Sequence, residues 1–504
     1  MKKILNFMLH RLFIVGILII LQLVFIILTI TKFRFAMLFM SAIGIIVLLE
    51  IINNKANPNY KIAWIIPVLT IPVFGTLFYL MFGIKNSKKN NNKTEQIRKY
   101  NKKFLIQDEI ILNNLKQENM DAYNESQYLI GNGFPVYNNT ITKYFKIGEE
   151  YFDELIKQLK EAKHFIFLEY FIIDKGKMWN TILDVLKQKA NEGVDVRVIY
   201  DDFGCILTLP KRYYKELKKY NIKAVSFNKF VPLLTSKLNN RNHRKIVVID
   251  GNIGFTGGIN LADEYINEKE RFGHWKDNGI MIKGDAVWSL TVNFLITWNT
   301  ITNKKEDFNK FSPNYYDCVN TTSTSYIQPY DDSPIDNETV GKNVYLNLIN
   351  KAKKYIYITT PYLVIDDEVE NALILASKNG VDVRIIVPGI ADKKIVNEVT
   401  KAYYPNLMEN NIKIYEYEKG FIHSKTFVVD DIYATLGTIN LDYRSLYLHF
   451  ECGILLYKDK SINDIKDDIL NTFEQSKLIK KEDTKIDFIR GLKRAILKLF
   501  APLM

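Results

Sequence analysis

Hydrophobic positions follow two different patterns along the chain. The first 84 residues contain three nearly uncharged runs, Leu12–Ile30, Phe35–Leu49 and Ile62–Ile84, the last of which is interrupted by Pro67 and Pro72. Beyond residue 103 the chain alternates short β-rich runs with helical stretches, a pattern typical of α/β layering. The sequence therefore predicts a hydrophobic N-terminal segment followed by α/β domains.

The N-terminal segment, residues 1–84, is interpreted as a membrane anchor with two or three transmembrane helices. Leu12–Ile30 has 19 residues, and about 20 apolar residues span a bilayer core. A buried core helix and a cleaved secretory signal are alternatives, but no small-x-small cleavage site follows the first run. Three spans place Lys2, Lys3 and Arg11 outside the cell, whereas two spans and an interfacial segment keep both ends inside.

A basic cluster follows the last hydrophobic run. Its eight basic residues, against the single acid Glu95, are Lys85, Lys88, Lys89, Lys93, Arg98, Lys99, Lys102 and Lys103. By the positive-inside rule, this cluster places the rest of the chain on the cytoplasmic side of the cell membrane, as a multi-pass protein.

The α/β part contains an internal repeat. The run Phe165–Leu168 resembles Tyr355–Ile358, and Gly193–Arg197 returns residue for residue as Gly380–Arg384. A two-copy repeat predicts two duplicated α/β/α domains facing each other across a pseudo-twofold axis. The expected boundaries are a basic linker at 85–125, a first domain at 126–310, a second domain at 311–483 and a C-terminal helix at 484–504.

The C-terminal helix is predicted to be amphipathic. Its cations Arg490, Lys493, Arg494 and Lys498 alternate with Ile489, Leu492, Ile496 and Leu499 at helical spacing. We expect it to lie on the bilayer with its cationic face toward anionic headgroups. Docking on the α/β domains is the alternative.

Composition narrows the possible partners. The net charge of +12 is compatible with an anionic membrane surface or nucleic acid, although a general richness in Lys also accounts for it. The three cysteines, Cys205, Cys318 and Cys452, are widely spaced. They indicate neither a disulfide framework nor a Cys-rich zinc site, and they favour a reducing compartment.

The repeat carries a His-x-Lys-x4-Asp motif in each copy. His243, Lys245, Asp250 and Asn260 have counterparts in the second half, all displaced by 180 residues: His423, Lys425, Asp430 and Asn440. One motif alone is a weak indication, but two copies in register, each followed at the same distance by Gly and Asn, indicate one site shared by the halves.

These residue types suit a phosphodiester. Two lysines can neutralise the non-bridging oxygens without a metal, and the amides of Asn260 and Asn440 can bind phosphate. One imidazole can attack phosphorus while the other transfers the proton of the leaving or attacking alcohol. We therefore expect no metal and no cofactor.

Several acids and histidines have secondary roles in this hypothesis. Asp277 and Glu451 occupy equivalent repeat positions and are candidates to orient the histidines, a strand-end salt bridge being the alternative. Asp250 and Asp430 complete the candidate catalytic set, although a carboxylate at a strand end more often fixes a turn. The remaining histidines, which receive low weight, are His10, His164, His274 and His449.

The motifs resemble those of the phospholipase D superfamily, and more narrowly those of the bacterial cardiolipin synthases. The resemblance rests on Arg241–Lys245 with Phe255–Tyr265 in the first half, and on Phe421, His423, Gly437–Asn440 and Arg444–Ser445 in the second. It extends to Trp64, Pro72, Gly75 and Tyr79 near the N-terminus and to Ala501–Met504 at the end. His449 departs from the pattern, which usually has Asn at this position.

The resemblance implies a reaction. It is transfer of a phosphatidyl group between two phosphatidylglycerol molecules, with release of glycerol, through a histidine adduct that involves His243 as nucleophile. Related enzymes with this chemistry use water or another alcohol as acceptor, or cleave nucleic acid; the membrane segment argues against a nucleic acid partner. A non-catalytic scaffold would explain the basic patches but not two matched motifs.

Overall fold

The computed structural model describes residues 34–83, 103–229, 240–313, 321, 323–336 and 338–503, together with residues 20, 24, 27 and 28. The first predicted hydrophobic run, Leu12–Ile30, lies almost wholly outside these ranges, as does the basic cluster except for Lys103. The second and third runs form helices α1 (Arg34–Asn53), α2 (Pro58–Thr70) and α3 (Pro72–Phe78), followed by a π-helical turn at Tyr79–Gly83.

Local chemistry fixes the breaks between these helices. Asn57 caps α2 by accepting a hydrogen bond from the Asn59 N–H at 2.9 Å, and Pro72 occupies the first turn of α3, where no N–H is needed. Helices α1 and α2 and the π-helical turn share a small core that includes Val47, Trp64 and Tyr79. Within the described ranges, no helix combines the length and apolar character that a bilayer crossing requires.

The catalytic part contains the remaining regular elements. Its helices are α4 (Glu109–Glu118), α5 (Met120–Gly131), α6 (Gly148–Glu161), α7 (Lys177–Asn191), α8 (Tyr214–Lys218), α9 (Val287–Thr302), α10 (Val340–Lys351), α11 (Asp367–Lys378), α12 (Lys394–Glu409), α13 (Tyr443–Tyr447), α14 (Ser461–Glu474) and α15 (Phe488–Phe500). Short 3₁₀ turns occur at Asp263–Ile266, Phe308–Phe311, Lys481–Thr484 and Ala501–Leu503.

The strands divide between the two halves of the sequence. In the first half they are β1 (Thr140–Phe145), β2 (Phe165–Tyr170), β3 (Asp195–Asp201), β4 (Lys223–Phe227), β5 (Ile246–Ile249), β6 (Ile253–Gly257), β7 (His274–Lys276) and β8 (Gly279–Gly284). In the second half they are β9 (Tyr326–Asp332), β10 (Tyr355–Thr359), β11 (Leu363–Val364), β12 (Asp382–Pro388), β13 (Lys413–Tyr417), β14 (Gly420–Ile422), β15 (Thr426–Val429), β16 (Tyr433–Gly437), β17 (Leu441–Asp442), β18 (Glu451–Tyr457) and β19 (Ser476–Leu478).

The two large sheets have the same topology. The first has the order β1-β8-β6-β5-β2-β3-β4, and the second has β9-β18-β16-β15-β10-β12-β13 with β19 added at one edge. The identical motif Gly-Val-Asp-Val-Arg leads into β3 in one half and β12 in the other. Gly193 and Gly380 there adopt φ values of +93° and +92°, which favour glycine. The predicted duplication of an α/β domain is confirmed.

The halves are joined by a shared core and by strand pairing. One hydrophobic cluster contains Phe167 and Val248 of the first half and Tyr357 and Val428 of the second. Strand β7 pairs in parallel with β14, and an isolated bridge joins Asn242 to Phe450. These cross-connections bring the ends of the central strands of both sheets to one interface.

The N-terminal helices contact the second half. The Asn57 amide donates to Asp366 Oδ2 at 3.1 Å and to the Tyr447 hydroxyl at 2.9 Å, and Asn59 donates to the Tyr443 hydroxyl at 2.9 Å. Both tyrosines belong to α13, which immediately precedes the segment leading to Glu451.

The C-terminal helix α15 has an orientation opposite to the predicted one. Arg490 and Arg494 face the protein and bind Glu398 of α12, at 2.6 and 2.9 Å. The apolar residues point outward, with Phe488 85% and Ile489 79% exposed. The prediction of a cationic face toward lipid is therefore wrong for the two arginines, because an acidic partner on α12 holds them.

Candidate active site

The two histidines lie where the halves meet. His243 comes just before β5 and His423 just before β15, both of which are central strands. The His243 N–H donates to the Phe450 carbonyl at 2.9 Å, and the His423 N–H donates to the Lys276 carbonyl at 2.7 Å. Each of these bonds joins one half to the other. The backbone therefore fixes both histidines at the interface, where each is only 7% exposed.

Each histidine is held by a carboxylate from the opposite half. Both oxygens of Glu451 lie 2.9 Å from His243 Nδ1. Asp277 Oδ2 lies 2.6 Å from His423 Nδ1. A carboxylate at Nδ1 keeps the proton of a neutral imidazole on that nitrogen and leaves the lone pair on Nε2. The predicted pair of acids thus contacts the histidines, with each acid crossing to the other half.

The two carboxylates are supported differently. The Thr438 hydroxyl donates to Glu451 Oε2 at 2.5 Å. Its counterpart in the first repeat is Gly258, where an added Cβ would lie 2.0 Å from Asp277 Oδ1. Asp277 instead accepts a hydrogen bond from the Asn278 N–H at 2.8 Å. The glycine makes room for the shorter acid, whereas the threonine supplies a donor to the longer one.

Burial controls the charge of the four oriented groups. It lowers the pKa of His243 to about 3 and that of His423 to about 4, and it outweighs the opposing effect of the carboxylates. Burial alone would raise the pKa of Glu451, but His243 reverses this and leaves that pKa below its usual range. In the same way, Lys425 and His423 keep the pKa of Asp277 low. The site therefore holds neutral imidazoles against ionised carboxylates.

The two lysines lie beside the histidines and are fully buried. Lys245 Nζ donates to the His243 carbonyl at 2.7 Å. Lys425 Nζ contacts the His423 carbonyl and lies 2.8 Å from His423 Nδ1. Burial lowers the pKa of Lys245 to about 8 and that of Lys425 to about 7. An arriving anion favours the charged forms of both amines.

The side chains of the two asparagines use only part of their hydrogen-bonding capacity within the protein. Asn260 accepts from the Ile172 N–H at 3.0 Å and donates to the Tyr265 hydroxyl at 2.6 Å. Asn440 donates to Asp442 at 3.1 Å, and its Oδ1 has no hydrogen-bond partner among the described residues. Since a carboxamide nitrogen carries two protons, each side chain retains a donor for a further acceptor.

Comparison with known proteins places this geometry in a family. A family profile described as "Cardiolipin synthase, PLD-like domain" matches residues 155–287 and 345–476. A cardiolipin synthase of Alkalihalophilus pseudofirmus is 35% identical over 446 residues, which cover 87% of this chain and 86% of that protein. The chain belongs to the cardiolipin synthase family of the phospholipase D superfamily.

Other similar proteins extend this result. A second profile, "Phospholipase_D-nuclease N-terminal", matches residues 42–83. An uncharacterised protein of Streptococcus mutans is 45% identical over 463 residues, covering 90% of this chain and 99% of that protein. The crystal structure of phosphatidylserine synthase from Haemophilus influenzae has the same fold, with 16% identity and a TM-score of 0.57 over 76% of this chain and 98% of that one. This member of the cardiolipin synthase family is a phosphatidyltransferase of the phospholipase D type.

The motif aspartates lie away from the histidines. Asp250 accepts the backbone N–H groups of Lys163, His164 and Phe165, all at 2.8 Å. Asp430 does the same for Lys353, Lys354 and Tyr355 at 2.6 to 2.9 Å. At about 3.3 Å per extended residue, seven residues separate these acids from the histidines by roughly 20 Å. Each acid therefore fastens the turn into β2 or β10, and we propose this anchoring as its role in place of the expected catalytic one.

Three contacts of this cardiolipin synthase family site were not predicted, although His449 itself was a candidate of low weight. They are Thr438 on Glu451, the Tyr265 ring 5.6 Å from the His423 ring, and the His449 ring 5.6 Å from the His243 ring. The replacement of Gly258 by Thr438 between otherwise matched motifs could have indicated the first. The other two depend on packing between the halves, for which the sequence carries no local pattern.

Proposed function

We propose that this enzyme transfers a phosphatidyl group from one phosphatidylglycerol molecule to another and releases glycerol, through a phosphatidyl-histidine intermediate. The observation that carries the proposal is the reciprocal pairing of His243 with Glu451 and of His423 with Asp277. It gives one cleft two imidazoles of defined tautomer, as a two-step displacement at phosphorus requires.

Each half-reaction uses both histidines. His243 Nε2 attacks phosphorus, the bond from phosphorus to the glycerol oxygen breaks, and His423 donates the proton that the leaving oxygen needs. In the second half-reaction His423 accepts the proton of an incoming hydroxyl, whose oxygen attacks phosphorus as the bond to His243 breaks. The assignment of His243 as nucleophile rests on the resemblance of the first motif to those of the superfamily.

The lysines and asparagines are proposed to bind the phosphodiester. The negative charge of the substrate lies beside Lys245 and Lys425, and it raises the pKa of each amine and of the acid histidine. The second proton of each carboxamide of Asn260 and Asn440 is a donor to the non-bridging oxygens, on which charge builds in the transition state. This chemistry requires no metal and no nucleotide.

A membrane setting is supported by apolar surface at both ends of the described chain. Helices α1 and α2 expose Ile45, Ile46 and Ile62, each at least 46%, and α15 exposes Leu492 and Ile496 at 53% and 50%. Helix α2 contacts the C-terminal turn at Ala501–Leu503, so these surfaces are neighbours. We propose that they bind the cell membrane, with the catalytic domains on its cytoplasmic side, as the basic cluster also favours.

The test is analysis of lipid products. Purified full-length protein is added to vesicles that contain phosphatidylglycerol as the sole anionic lipid, and the lipids are separated by thin-layer chromatography. We expect cardiolipin and an equal amount of free glycerol. Phosphatidic acid as the sole product would instead identify a hydrolase with the same site.

A further inference from the structure

The imidazole of His449 has an unusual environment at the edge of the site. Its side chain is 10% exposed, and neither ring nitrogen has a hydrogen-bond partner among the described residues. Nδ1 lies 3.6 Å from Glu451 Oε1, too far for a hydrogen bond. A buried imidazole without a hydrogen bond is costly, so both ring nitrogens of His449 remain open to a ligand beside the Glu451 carboxylate.

The neighbours of His449 have the chemistry of metal ligands. One ligand atom each of His243, His449 and Glu451 lies within 4.8 Å of the others. Ligand bonds of about 2.0–2.2 Å place the ligand atoms of a tetrahedral zinc site roughly 3.4 Å apart. Glu451 Oε1 lies 2.9 Å from His243 Nδ1 and 3.6 Å from His449 Nδ1. Small side-chain shifts therefore bring the three atoms to that spacing.

We infer that His243, His449 and Glu451 form a binding site for one divalent cation of the zinc class. Two imidazole nitrogens and one carboxylate oxygen favour Zn²⁺ over Mg²⁺, which prefers oxygen ligands. The fourth position is open to water. Two cations lie beside these ligands: the ammonium of Lys245, which donates to the His243 carbonyl, and the guanidinium of Arg244, which donates to the Glu451 carbonyl.

Occupancy of this site inhibits phosphatidyl transfer, an extension that rests on the proposed function. If the metal binds His243 Nε2, it occupies the lone pair that would attack phosphorus. If it binds Nδ1, the ring proton moves to Nε2 and the lone pair is lost there as well. In either geometry Glu451 is withdrawn from orienting His243. The ion thus acts as a reversible blocker of the nucleophile.

Binding is tested with the full-length protein in detergent, stripped of metal and titrated with ZnCl2 or MgCl2 in a calorimeter. We expect one equivalent of Zn²⁺ and no measurable Mg²⁺. H449N, which retains a polar side chain, should weaken Zn²⁺ binding by about 100-fold, because one of three ligands is lost. H423A, which alters the opposite histidine, and H274A, on the β7 strand, should bind as the wild type does. Unchanged binding by H449N, or loss of binding by H423A, would overturn the site.

Inhibition is measured separately, with the rate of each protein compared with its own rate without zinc. The zinc concentration for half inhibition should match the dissociation constant in the wild type and rise at least about tenfold in H449N. Full activity of the wild type with its zinc site filled would overturn the inhibitory role. Zinc binding by a protein that makes no lipid product would count against the proposed function and leave the metal site standing.

Discussion

At the residue scale, His243 and His423 depend on each other through the crossed carboxylates. Glu451 of the second half contacts Nδ1 of His243, and Asp277 of the first half contacts Nδ1 of His423. Each of these two histidines is therefore paired with a carboxylate of the other half. A single substitution at either histidine should disable both steps of transfer.

Substitution of His243 or His423 by alanine is expected to lower the rate of phosphatidyl transfer by about 10³-fold or more. The double substitution should lower the rate little further, because the effects of residues that act as a unit are not additive. Cardiolipin formation at saturating lipid measures this. H164A is the control, since His164 is an exposed residue next to the turn into β2. A single mutant that retained most of the activity would contradict one shared site.

Replacing the carboxylates tests their orienting role. E451Q and D277N keep the size of each side chain but remove the charge that holds the Nδ1 proton, so each should lower kcat by roughly 10²- to 10⁴-fold. The KM for lipid should change little, because neither acid faces the substrate phosphate. The measurement is a KM and kcat comparison, with thermal unfolding to verify that both variants are folded. A raised KM at unchanged kcat would argue for substrate binding instead.

The lysines give the site a pH dependence. The pKa of Lys425 is lowered to about 7 and that of Lys245 to about 8, so each amine is cationic below these values and loses its charge as the pH rises. The KM for anionic lipid is therefore expected to increase between about pH 7 and 9. Vesicle sedimentation at each pH is the control, because surface attraction should stay constant. A KM that falls over this range would contradict the assignment.

Much of the site could be predicted at this scale, because the two copies of the repeat can be aligned and equivalent positions carry residues with the same proposed role. The offset of 180 residues located the histidines, lysines and asparagines, and the similar strand that follows each motif located Asp277 and Glu451. It could not show the exchange of acids between halves, which depends on the pairing of β7 with β14 and of Asn242 with Phe450. Nor could it distinguish an anchoring role of Asp250 from a catalytic one, since either role accounts for an Asp at the same position of both repeats.

At the element scale, the motif aspartates connect a helix end to a strand. Asp250 accepts three N–H groups at the start of β2. D250A leaves these donors without that acceptor and should lower the free energy of unfolding by about 2–4 kcal/mol. Because Asp250 does not touch the histidines, the folded fraction should keep its kcat within a few fold. Denaturant titration and activity measured below the unfolding range test both statements. A folded D250A protein with abolished kcat would restore a catalytic role.

The C-terminal helix illustrates what periodicity leaves open. Alternation of Arg and Ile at helical spacing predicts two different faces but not which of them meets the protein. That choice is made by Glu398, 92 residues earlier than Arg490, which binds both inward arginines. The outward apolar face then becomes available for lipid.

Membrane contact through the apolar face of α15 and membrane contact through its cationic face predict different effects of mutations on vesicle binding. If the apolar face enters the bilayer, L492E with I496E should weaken binding to phosphatidylglycerol vesicles by at least about tenfold, since burial of each such side chain contributes about 1.5–3 kcal/mol. K493Q on the same helix is the matched control, because Lys493 is exposed and its loss removes only a charge. Binding is measured by co-flotation of protein that lacks residues 1–33. A greater effect of K493Q would restore the cationic face as the lipid contact.

At the scale of the whole molecule, the candidate site at the interface of the two halves is connected to the N-terminal helices. Helix α13 joins them, because its tyrosines bind Asn57 and Asn59 and its chain continues to His449 and Glu451. The duplicated fold could be predicted because both copies keep their strand sequences and motif spacing. The neighbouring positions of α2 and the C-terminus could not, because they lie at opposite ends of the sequence.

The reaction proposed for this molecule is nearly balanced in energy, because one phosphodiester bond to a primary alcohol is broken and another is formed. Phosphatidylglycerol alone should therefore yield cardiolipin and glycerol without CTP or added metal. Glycerol added in excess should drive the reverse reaction, in which the phosphatidyl-histidine is captured by glycerol and cardiolipin returns to phosphatidylglycerol. Radiolabelled glycerol followed into the phosphatidylglycerol band measures this exchange, and H423A is the blank. Strict dependence on CDP-diacylglycerol, or cardiolipin that persists unchanged in excess glycerol with active enzyme, would contradict the exchange while leaving the family assignment intact.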